Sequence, residues 1–242
     1  MMVKEVYQNV IKAINKIVDK AKGMDKKVVV NMSLGGPATK PWDQDPLCIA
    51  IHNAIKEGIY FVVAAGNSGP KEGTVATPGI TPDVITVASY DDKKTEDLKD
   101  DDIAISSSRG PVLNAPDDNS KIKPDIAISG VRIWAANSPG SRIDKQADLG
   151  LVPRTADKKY VALSGTSMAA PAISGIVALI LQVNPSLKPH EVKKIIIENG
   201  IPLNKKDPTD GKPYDKYDQG SGLINAYQAV KKASKIMNTK KY

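Results

Sequence analysis

The sequence predicts an α/β fold built around a parallel sheet. Short apolar runs at 28–30, 59–65 and 84–88 have the continuous pattern of strands that are buried on both faces. Helical stretches alternate with such runs over short breaks, and this alternation is typical of a parallel sheet. The chain has 242 residues, of which 41% are apolar, which is enough for one large core. Because there is no repeat and no clear linker, we expect a single domain over residues 1–242.

The first helices follow from apolar residues that are spaced three and four apart. Residues 6–21 form one apolar face of an amphipathic helix, and Gly23 lies where a helix end is expected. Residues 47–57 repeat this pattern and end at Gly58. Residues 168–183 are apolar nearly all round, which predicts a central buried helix.

The C-terminal part is predicted to close with two amphipathic helices, at 189–199 and 226–237, and Asn225 stands in the N-cap position of the second. Polar stretches between the core elements are expected to be surface loops; they cover residues 89–102, 112–121 and 137–159.

The composition argues against two classes of partner. The net charge of +7 comes mostly from lysines spread along the sequence, and aromatic residues make up only 5%. A nucleic-acid binder more often has arginine-rich patches interleaved with aromatics, so we expect no nucleic-acid partner. No apolar run is long enough to span a bilayer, and residues 1–12 lack the apolar segment of a signal peptide, so we expect no membrane partner. Cys48 is the only cysteine, which excludes an intrachain disulfide, and its apolar neighbours predict that it is buried.

The strongest chemical signal is the segment 164–171, Ser-Gly-Thr-Ser-Met-Ala-Ala-Pro, which leads directly into the predicted central helix. Ser167 would therefore lie at a helix N-terminus, where free backbone N–H groups and the helix dipole favour negative charge. These features suit an oxyanion that forms next to the serine. The alternative is that Ser167 only caps a core helix.

A second signal is the segment 64–70, Ala-Ala-Gly-Asn-Ser-Gly-Pro, at the C-terminal end of a predicted buried strand. Ligand sites in open α/β sheets collect at such ends. The side-chain amide of Asn67 could donate a hydrogen bond to an oxyanion without carrying charge. The alternative is a turn asparagine before Gly69 and Pro70.

Together these two motifs resemble the subtilase family of serine proteases, and the resemblance extends over nearly the whole chain. It implies a subtilisin-like three-layer fold whose N-terminal strands are missing from this chain. Three further segments resemble family motifs in the family's order; they are 31–37 (Asn-Met-Ser-Leu-Gly-Gly-Pro), 107–111 with 123–126, and 220–226.

The resemblance implies a role for each matching residue. Ser167 would attack the scissile carbonyl of a polypeptide substrate, and its backbone N–H would hold the oxyanion together with the Asn67 side chain. An extended substrate would pair with one segment as an added strand, and a second segment would form the wall of the specificity pocket. The substrate-binding residues implied in this way are Ser33, Leu34, Gly35, Ala64, Ala65, Gly66 and Thr166.

The sequence also departs from the family pattern. The family's catalytic Asp and His precede the serine in Asp-Thr-Gly-like and His-Gly-Thr-His-like motifs, and the sequence contains neither. The two histidines, His52 and His190, fall in predicted helices and are expected to be ordinary helix residues. A serine hydroxyl is a poor nucleophile until a histidine takes its proton. We therefore expect the isolated chain to be close to inert, with the N-terminal half of the same protease as its partner.

The missing half also affects folding. By resemblance, the strand at 28–30 lies in mid-sheet beside a strand that this chain lacks, so a hydrophobic edge would meet solvent. We expect the isolated chain to self-associate, aggregate or need its N-terminal partner.

No cofactor is expected for the chemistry. The resemblance allows a weak structural calcium site, with the Asp125 carboxylate near the carbonyls of Gly79, Thr81 and Val84. The segment 128–130, Ile-Ser-Gly, replaces the family's usual Ala-Pro-Gly. Location follows from the resemblance alone, which implies the cell exterior or the cell envelope.

Other classes of protein were weighed against the protease. The main alternative is a non-catalytic, subtilase-like peptide-binding or structural module. Such a module would need neither Ser167 nor Asn67, and the sequence has both. An α/β-hydrolase is suggested by the near match of 165–169 to Gly-x-Ser-x-Gly, but His190 precedes every downstream aspartate, so the order serine, acid, histidine fails. The segment 66–70 is superficially similar to a chymotrypsin-type serine loop, yet it follows a buried strand in a parallel pattern.

Overall fold

The computed structural model describes residues 2–239. Its helices are α1 (Met2–Ala21), α2 (Pro46–Lys56), α3 (Arg142–Asp148), α4 (Thr166–Val183), α5 (Pro189–Glu198), α6 (Lys216–Gln219) and α7 (Ala226–Thr239). Its strands are β1 (Val29–Met32), β2 (Tyr60–Ala64), β3 (Ile85–Asp91), β4 (Asp102–Ile103), β5 (Ile126–Ser129), β6 (Ile133–Ala136), β7 (Tyr160–Leu163), β8 (Gly200–Ile201) and β9 (Leu223–Ile224).

The main sheet has the strand order β1-β2-β3-β5-β9-β8, and β4 pairs with β3. Strands β1, β2, β3, β5 and β9 run parallel, whereas β8 and β4 are antiparallel to their neighbours. Val62 of β2 pairs with Asn31 of β1 and with Ile85 of β3, which fixes the register at the centre of the sheet. Strands β6 and β7 form a separate antiparallel pair.

Helices cover both faces of this sheet, as the alternation along β2 requires. Phe61 and Val63 pack with Ile14 of α1 and with Leu47 and Ile51 of α2 on one face. On the other face Tyr60 and Val62 pack against residues of α4, α5 and α7, among them Ile173, Ile180, Ile195 and Ala229. Successive residues of a strand point to opposite faces, so a five-residue apolar run can serve both layers. The predicted three-layer α/β fold is confirmed.

Strand β1 differs from its prediction in burial. Its apolar run was expected to be buried on both faces, but Val29 and Val30 are only half-buried and Asn31 is exposed. The physical reason is its place at the edge of the sheet, where β2 covers one side and no described strand covers the other. The side chains of β2, which has a neighbour on each side, are all buried.

Two of the expected loops contain regular structure. The stretch 89–102 begins as the end of β3 and finishes in β4, which pairs back onto β3 at Tyr90 and Asp91. The stretch 137–159 contains α3, which has no buried residue and therefore no apolar periodicity for a sequence pattern to reveal. The stretch 112–121 has no helix or strand.

Helix α4 is the central helix, although it is buried on one side only. Its core face includes Ile173, Val177 and Ile180, which are fully buried. The expectation that no apolar run is long enough to span a bilayer was wrong for α4, which is long and apolar enough by length and composition alone; 44% of its span is buried inside the protein. Its opposite side is exposed and carries mostly small residues; they are Pro171, Ala172, Gly175, Ala178, Leu179 and Gln182.

Candidate active site

The site is built at the N-terminus of α4. Gly165 precedes the helix with φ 142°, a conformation that a residue with a side chain rarely adopts. A Cβ atom at this position would lie 3.0 Å from Asn67 Oδ1, so glycine lets the helix start approach Asn67 closely. The Gly165 N–H donates to the Gly130 carbonyl at 2.8 Å, which ties the helix start to the loop after β5. Ser167 follows in the first turn of α4 and is half-buried.

Asn67 lies just beyond the C-terminal end of β2 and faces the start of α4. Its Oδ1 accepts hydrogen bonds from the Thr166 N–H at 3.0 Å and from the Thr166 hydroxyl at 3.1 Å. The Thr166 hydroxyl also accepts from the Gly66 N–H at 3.2 Å. These bonds fix the oxygen side of the amide, and Nδ2 has no hydrogen-bond acceptor among residues 2–239. The exposed Asn67 side chain thus offers a free donor beside Ser167.

A cleft of about 630 Å³ opens in front of these residues. Of the residues predicted to bind substrate, Ser33, Leu34, Gly35, Ala64, Gly66 and Thr166 line it, together with Ser167 and Asn67. Ala65 does not line the cleft, because its side chain is fully buried behind the wall. The residues that line the cleft carry no charged side chain.

The wall opposite Ser33–Gly35 is formed by residues 73–76, which the motifs did not indicate. A two-way backbone pairing between Gly36 and Thr77, with N···O distances of 3.0 and 2.9 Å, joins the two walls at one end. Residues 73–76 carry no reactive side chain and no apolar periodicity, so the sequence gives no direct signal for them. Backbone bonds to distant parts of the chain bring them to the cleft: besides the Gly36–Thr77 pairing, the Ala76 N–H donates to the Ala65 carbonyl at 2.8 Å and the Thr74 N–H to the Arg109 carbonyl at 2.9 Å.

The described residues bring no general base to Ser167. Its hydroxyl lies 3.5 Å from the Ser33 carbonyl oxygen, a contact at the outer limit of hydrogen bonding. His52 and His190 line a different cavity, of about 770 Å³, and neither lines the cleft. His52 Nδ1 lies 2.5 Å from the Asp83 carboxylate in a part-buried pair. Within residues 2–239, Ser167 therefore shares the cleft with the Asn67 side chain but with no histidine.

Comparison with known proteins shows the family to which the chain belongs. The profile of the subtilase family, Peptidase S8, matches residues 5–222. The chain belongs to the subtilase family. Serine protease AprX of Bacillus subtilis (strain 168) is 43% identical over 205 residues, covering 84% of this subtilase chain and 42% of AprX. Pyrolysin of Pyrococcus furiosus is 31% identical over 222 residues, covering 81% of the chain and 14% of pyrolysin.

Solved subtilase structures have the same fold. Sphericase superimposes with a TM-score of 0.68 at 27% sequence identity, and the S41 psychrophilic protease with 0.67 at 25%. Each superposition covers 90% of this subtilase chain but 63% of the other. The chain thus spans under half the length of the curated relatives named above and about two thirds of these solved chains.

In this subtilase, lysine ammonium groups lie where the resemblance allowed a calcium ion beside Asp125. Asp125 Oδ2 accepts from Lys123 Nζ at 2.7 Å, and Oδ1 lies 2.9 Å from Lys193 Nζ. The Val84 carbonyl accepts from both ammonium groups, at 3.1 and 2.9 Å. The Gly79 carbonyl accepts from the Thr86 hydroxyl at 2.6 Å. A calcium ion next to Asp125 would stand against two positive charges, so the residues present do not fit it.

Burial controls the electrostatics of this cluster. Burial lowers the pKa of the Lys123 ammonium, and the neighbouring Asp125 charge only partly opposes this shift. Burial alone would raise the pKa of Asp125, but the positive charges of Lys123 and Lys193 outweigh it and hold the pKa below its usual value. Because the folded-state pKa of Asp125 is depressed, its contribution to stability is present above about pH 4 and is lost as the pH falls further.

Replacing Asp125 by alanine should destabilise the protein strongly, because it leaves two ammonium groups without their carboxylate. Removing one partner of a buried ion pair costs roughly 3–5 kcal/mol. Urea denaturation at neutral pH measures the change in the free energy of unfolding.

Asp118→Ala is a matched control, because Asp118 also contacts a lysine at 2.7 Å but is 94% exposed. We expect no measurable destabilisation from it. We also expect excess calcium chelator to leave the Asp125 region unaffected. Stabilisation by added calcium that disappears in Asp125→Ala would contradict the two-lysine arrangement.

Proposed function

We propose that this chain is the nucleophile-bearing part of a serine endopeptidase. It would hydrolyse peptide bonds through an acyl-enzyme at Ser167 when an N-terminal segment supplies the Asp and His motifs. We call that assembly the completed protease. The observation that carries the proposal is the juxtaposition of Ser167, at the N-terminus of α4, with the free Nδ2 donor of Asn67 in a cleft.

The proposed reaction proceeds by the following bond changes. Ser167 Oγ attacks the scissile carbonyl carbon while its proton passes to the histidine of the N-terminal segment. The negative charge that develops on the carbonyl oxygen is held by Asn67 Nδ2 and by the Ser167 N–H. The C–N bond then breaks, and the leaving amine takes the proton from the histidine. Water releases the acyl group by the same steps in reverse, and Ser167 is restored.

The cleft supports a polypeptide as the substrate. Residues 33–35 directly follow β1 and form an exposed stretch along one wall, which we propose pairs with the backbone of an extended peptide. The uncharged lining of the cleft supplies no group that would demand a particular charge on the substrate.

Strand β1 offers a place for the N-terminal segment. Its outer edge has no strand partner among the described residues, and Val29 and Val30 are half-buried there. An exposed strand edge carries unpaired N–H and C=O groups that favour pairing with another strand. The occupant we propose is a strand of the missing N-terminal segment.

The side of α4 next to this edge is also unpartnered. Its exposed residues include Gly175, around which there is open space, and Leu179, which is 49% exposed. A cavity of about 620 Å³ lies between Val29 and the α4 residues Ala178 and Leu181. Small residues on one helix allow another helix to approach closely. The solved relatives carry more than a third of their length outside the matched region, which is enough chain for such a layer.

Reconstitution tests the proposal. The chain would be mixed with a separately expressed N-terminal segment that carries the Asp and His motifs, taken from the DNA upstream. Size-exclusion chromatography and hydrolysis of a fluorogenic peptide are then measured. We expect the chain alone to self-associate and to show negligible turnover, and the mixture to form a discrete complex that hydrolyses the peptide.

The opposite results are equally informative. A sharp monomeric peak with cooperative melting for the chain alone would contradict the need for an N-terminal partner. A stable complex that binds peptides without hydrolysing them would favour a peptide-binding module instead. We further place the completed protease at the cell exterior or in the cell envelope, on the family resemblance, and assign its chemistry no cofactor.

A further inference from the structure

Pro171 creates an unusual need in the first turns of α4. In a regular helix the carbonyl of residue 167 accepts from the N–H of residue 171. Pro171 has no N–H, so the carbonyl of the nucleophile residue lacks that donor. The Ser33 hydroxyl supplies a donor in its place, at 2.9 Å from the Ser167 carbonyl oxygen. The wall of the cleft is thereby bonded to the backbone of Ser167 itself.

Asn31 determines which way the Ser33 hydroxyl points. Asn31 Nδ2 donates to Ser33 Oγ at 3.0 Å, so the hydrogen of that hydroxyl is free to turn toward Ser167. Asn31 Oδ1 lies 3.2 Å from the Ser174 hydroxyl, whose single hydrogen is shared with the Ala170 carbonyl at 3.1 Å. Asn31 sits in β1, paired with Val62 of the central strand β2, so its backbone position is fixed by the sheet.

We propose that Asn31 is a positioning residue for the proteolytic reaction. Through Ser33 it fixes the distance and direction between the substrate-binding wall and the nucleophile. The hydrogen bonds run in one direction, from the Asn31 amide through the Ser33 hydroxyl to the Ser167 carbonyl, and bonds aligned in this way strengthen one another. This role rests on the proposed function, because positioning matters only if Ser167 attacks a bound peptide.

The near-isosteric change Asn31→Asp tests the direction in which these hydrogen bonds are donated. A carboxylate can only accept at neutral pH, so it would draw the Ser33 hydrogen away from the Ser167 carbonyl. In the completed protease we expect Asn31→Asp and Asn31→Ala each to lower kcat about 10- to 100-fold, the scale of a small misplacement, with KM changed less than about threefold. Asn53→Ala, on the exposed side of α2, is the matched control and should leave both constants unchanged.

A double variant separates positioning from general damage. In a Ser33→Ala background, a further change at Asn31 should lower kcat by less than about twofold, because Asn31 acts through Ser33. Independent, multiplying losses would contradict the proposal, as would an effect confined to KM.

A second measurement needs no activity. Asn31→Ala and Ser33→Ala, combined, should shift the unfolding equilibrium constant about tenfold less than the product of their single effects, since both break the same series of hydrogen bonds. Single effects that simply multiply in the double variant would show that these hydrogen bonds are not coupled, whether or not the completed protease is active. Coupled stabilities with an inactive wild-type complex would instead contradict the proposed function alone.

Discussion

Ser167→Ala in the completed protease should lower peptide turnover by about a millionfold, the loss that subtilisin suffers when its serine is removed. The reason is chemical, because the variant has no oxygen to form the acyl-enzyme. Stability should be unaffected, since the Ser167 hydroxyl makes only a 3.5 Å contact with the Ser33 carbonyl. Turnover of a fluorogenic peptide and urea denaturation of the same sample measure the two effects.

Ser138→Ala provides the control for this change. Ser138 is an exposed serine in the stretch before α3, outside the cleft. It should keep full turnover. Residual hydrolysis by Ser167→Ala at more than about one part in a thousand of the wild-type rate would mean that another group acts as the nucleophile.

Asn67→Ala in the completed protease should lower kcat by about a hundred- to a thousandfold, the loss measured for the oxyanion asparagine in subtilisin, with little change in KM. The charge on the carbonyl oxygen develops only in the transition state, so a missing donor is felt there and not in substrate binding. Asn67→Asp is the sharper variant: it keeps an oxygen for Thr166 but replaces Nδ2 by an acceptor. We expect at least the same loss.

The matched control is Asn114→Ala, because Asn114 is an exposed asparagine that does not line the cleft. Steady-state kinetics on one peptide gives kcat and KM for each variant. A rise in KM without a fall in kcat would show that Asn67 binds the substrate and does not hold the oxyanion.

The core elements could be predicted because their patterns are local. The apolar run of β2 and the three- and four-residue spacing in α1 and α2 report burial directly, since each element packs against a continuous core face. Asn225 was predicted as an N-cap, and it accepts from the Gln228 N–H at 3.0 Å. Cys48 was predicted to be buried and is fully buried.

Ser167 and Asn67 could be located from the sequence because each stands at the end of a core element. Residues 73–76 could not, because their place in the cleft depends on a backbone pairing distant in sequence. The contact of Lys193 with Asp125 was missed for a similar reason, because Lys193 comes from α5 and no local pattern links it to Asp125. Strand β1 is half-exposed because no described strand pairs with its outer edge, and its own apolar pattern cannot indicate whether a neighbouring strand is present.

Labelling by a serine-reactive fluorophosphonate, read by intact mass, tests the central claim most directly. The claim is that Ser167 has its oxyanion donor within this chain but receives its base from an N-terminal segment. We expect no labelling of the chain alone, and rapid labelling after the N-terminal segment is added that is lost in Ser167→Ala. Rapid, Ser167-dependent labelling of the chain alone, with peptide turnover, would show that the chain supplies its own base and would contradict the account.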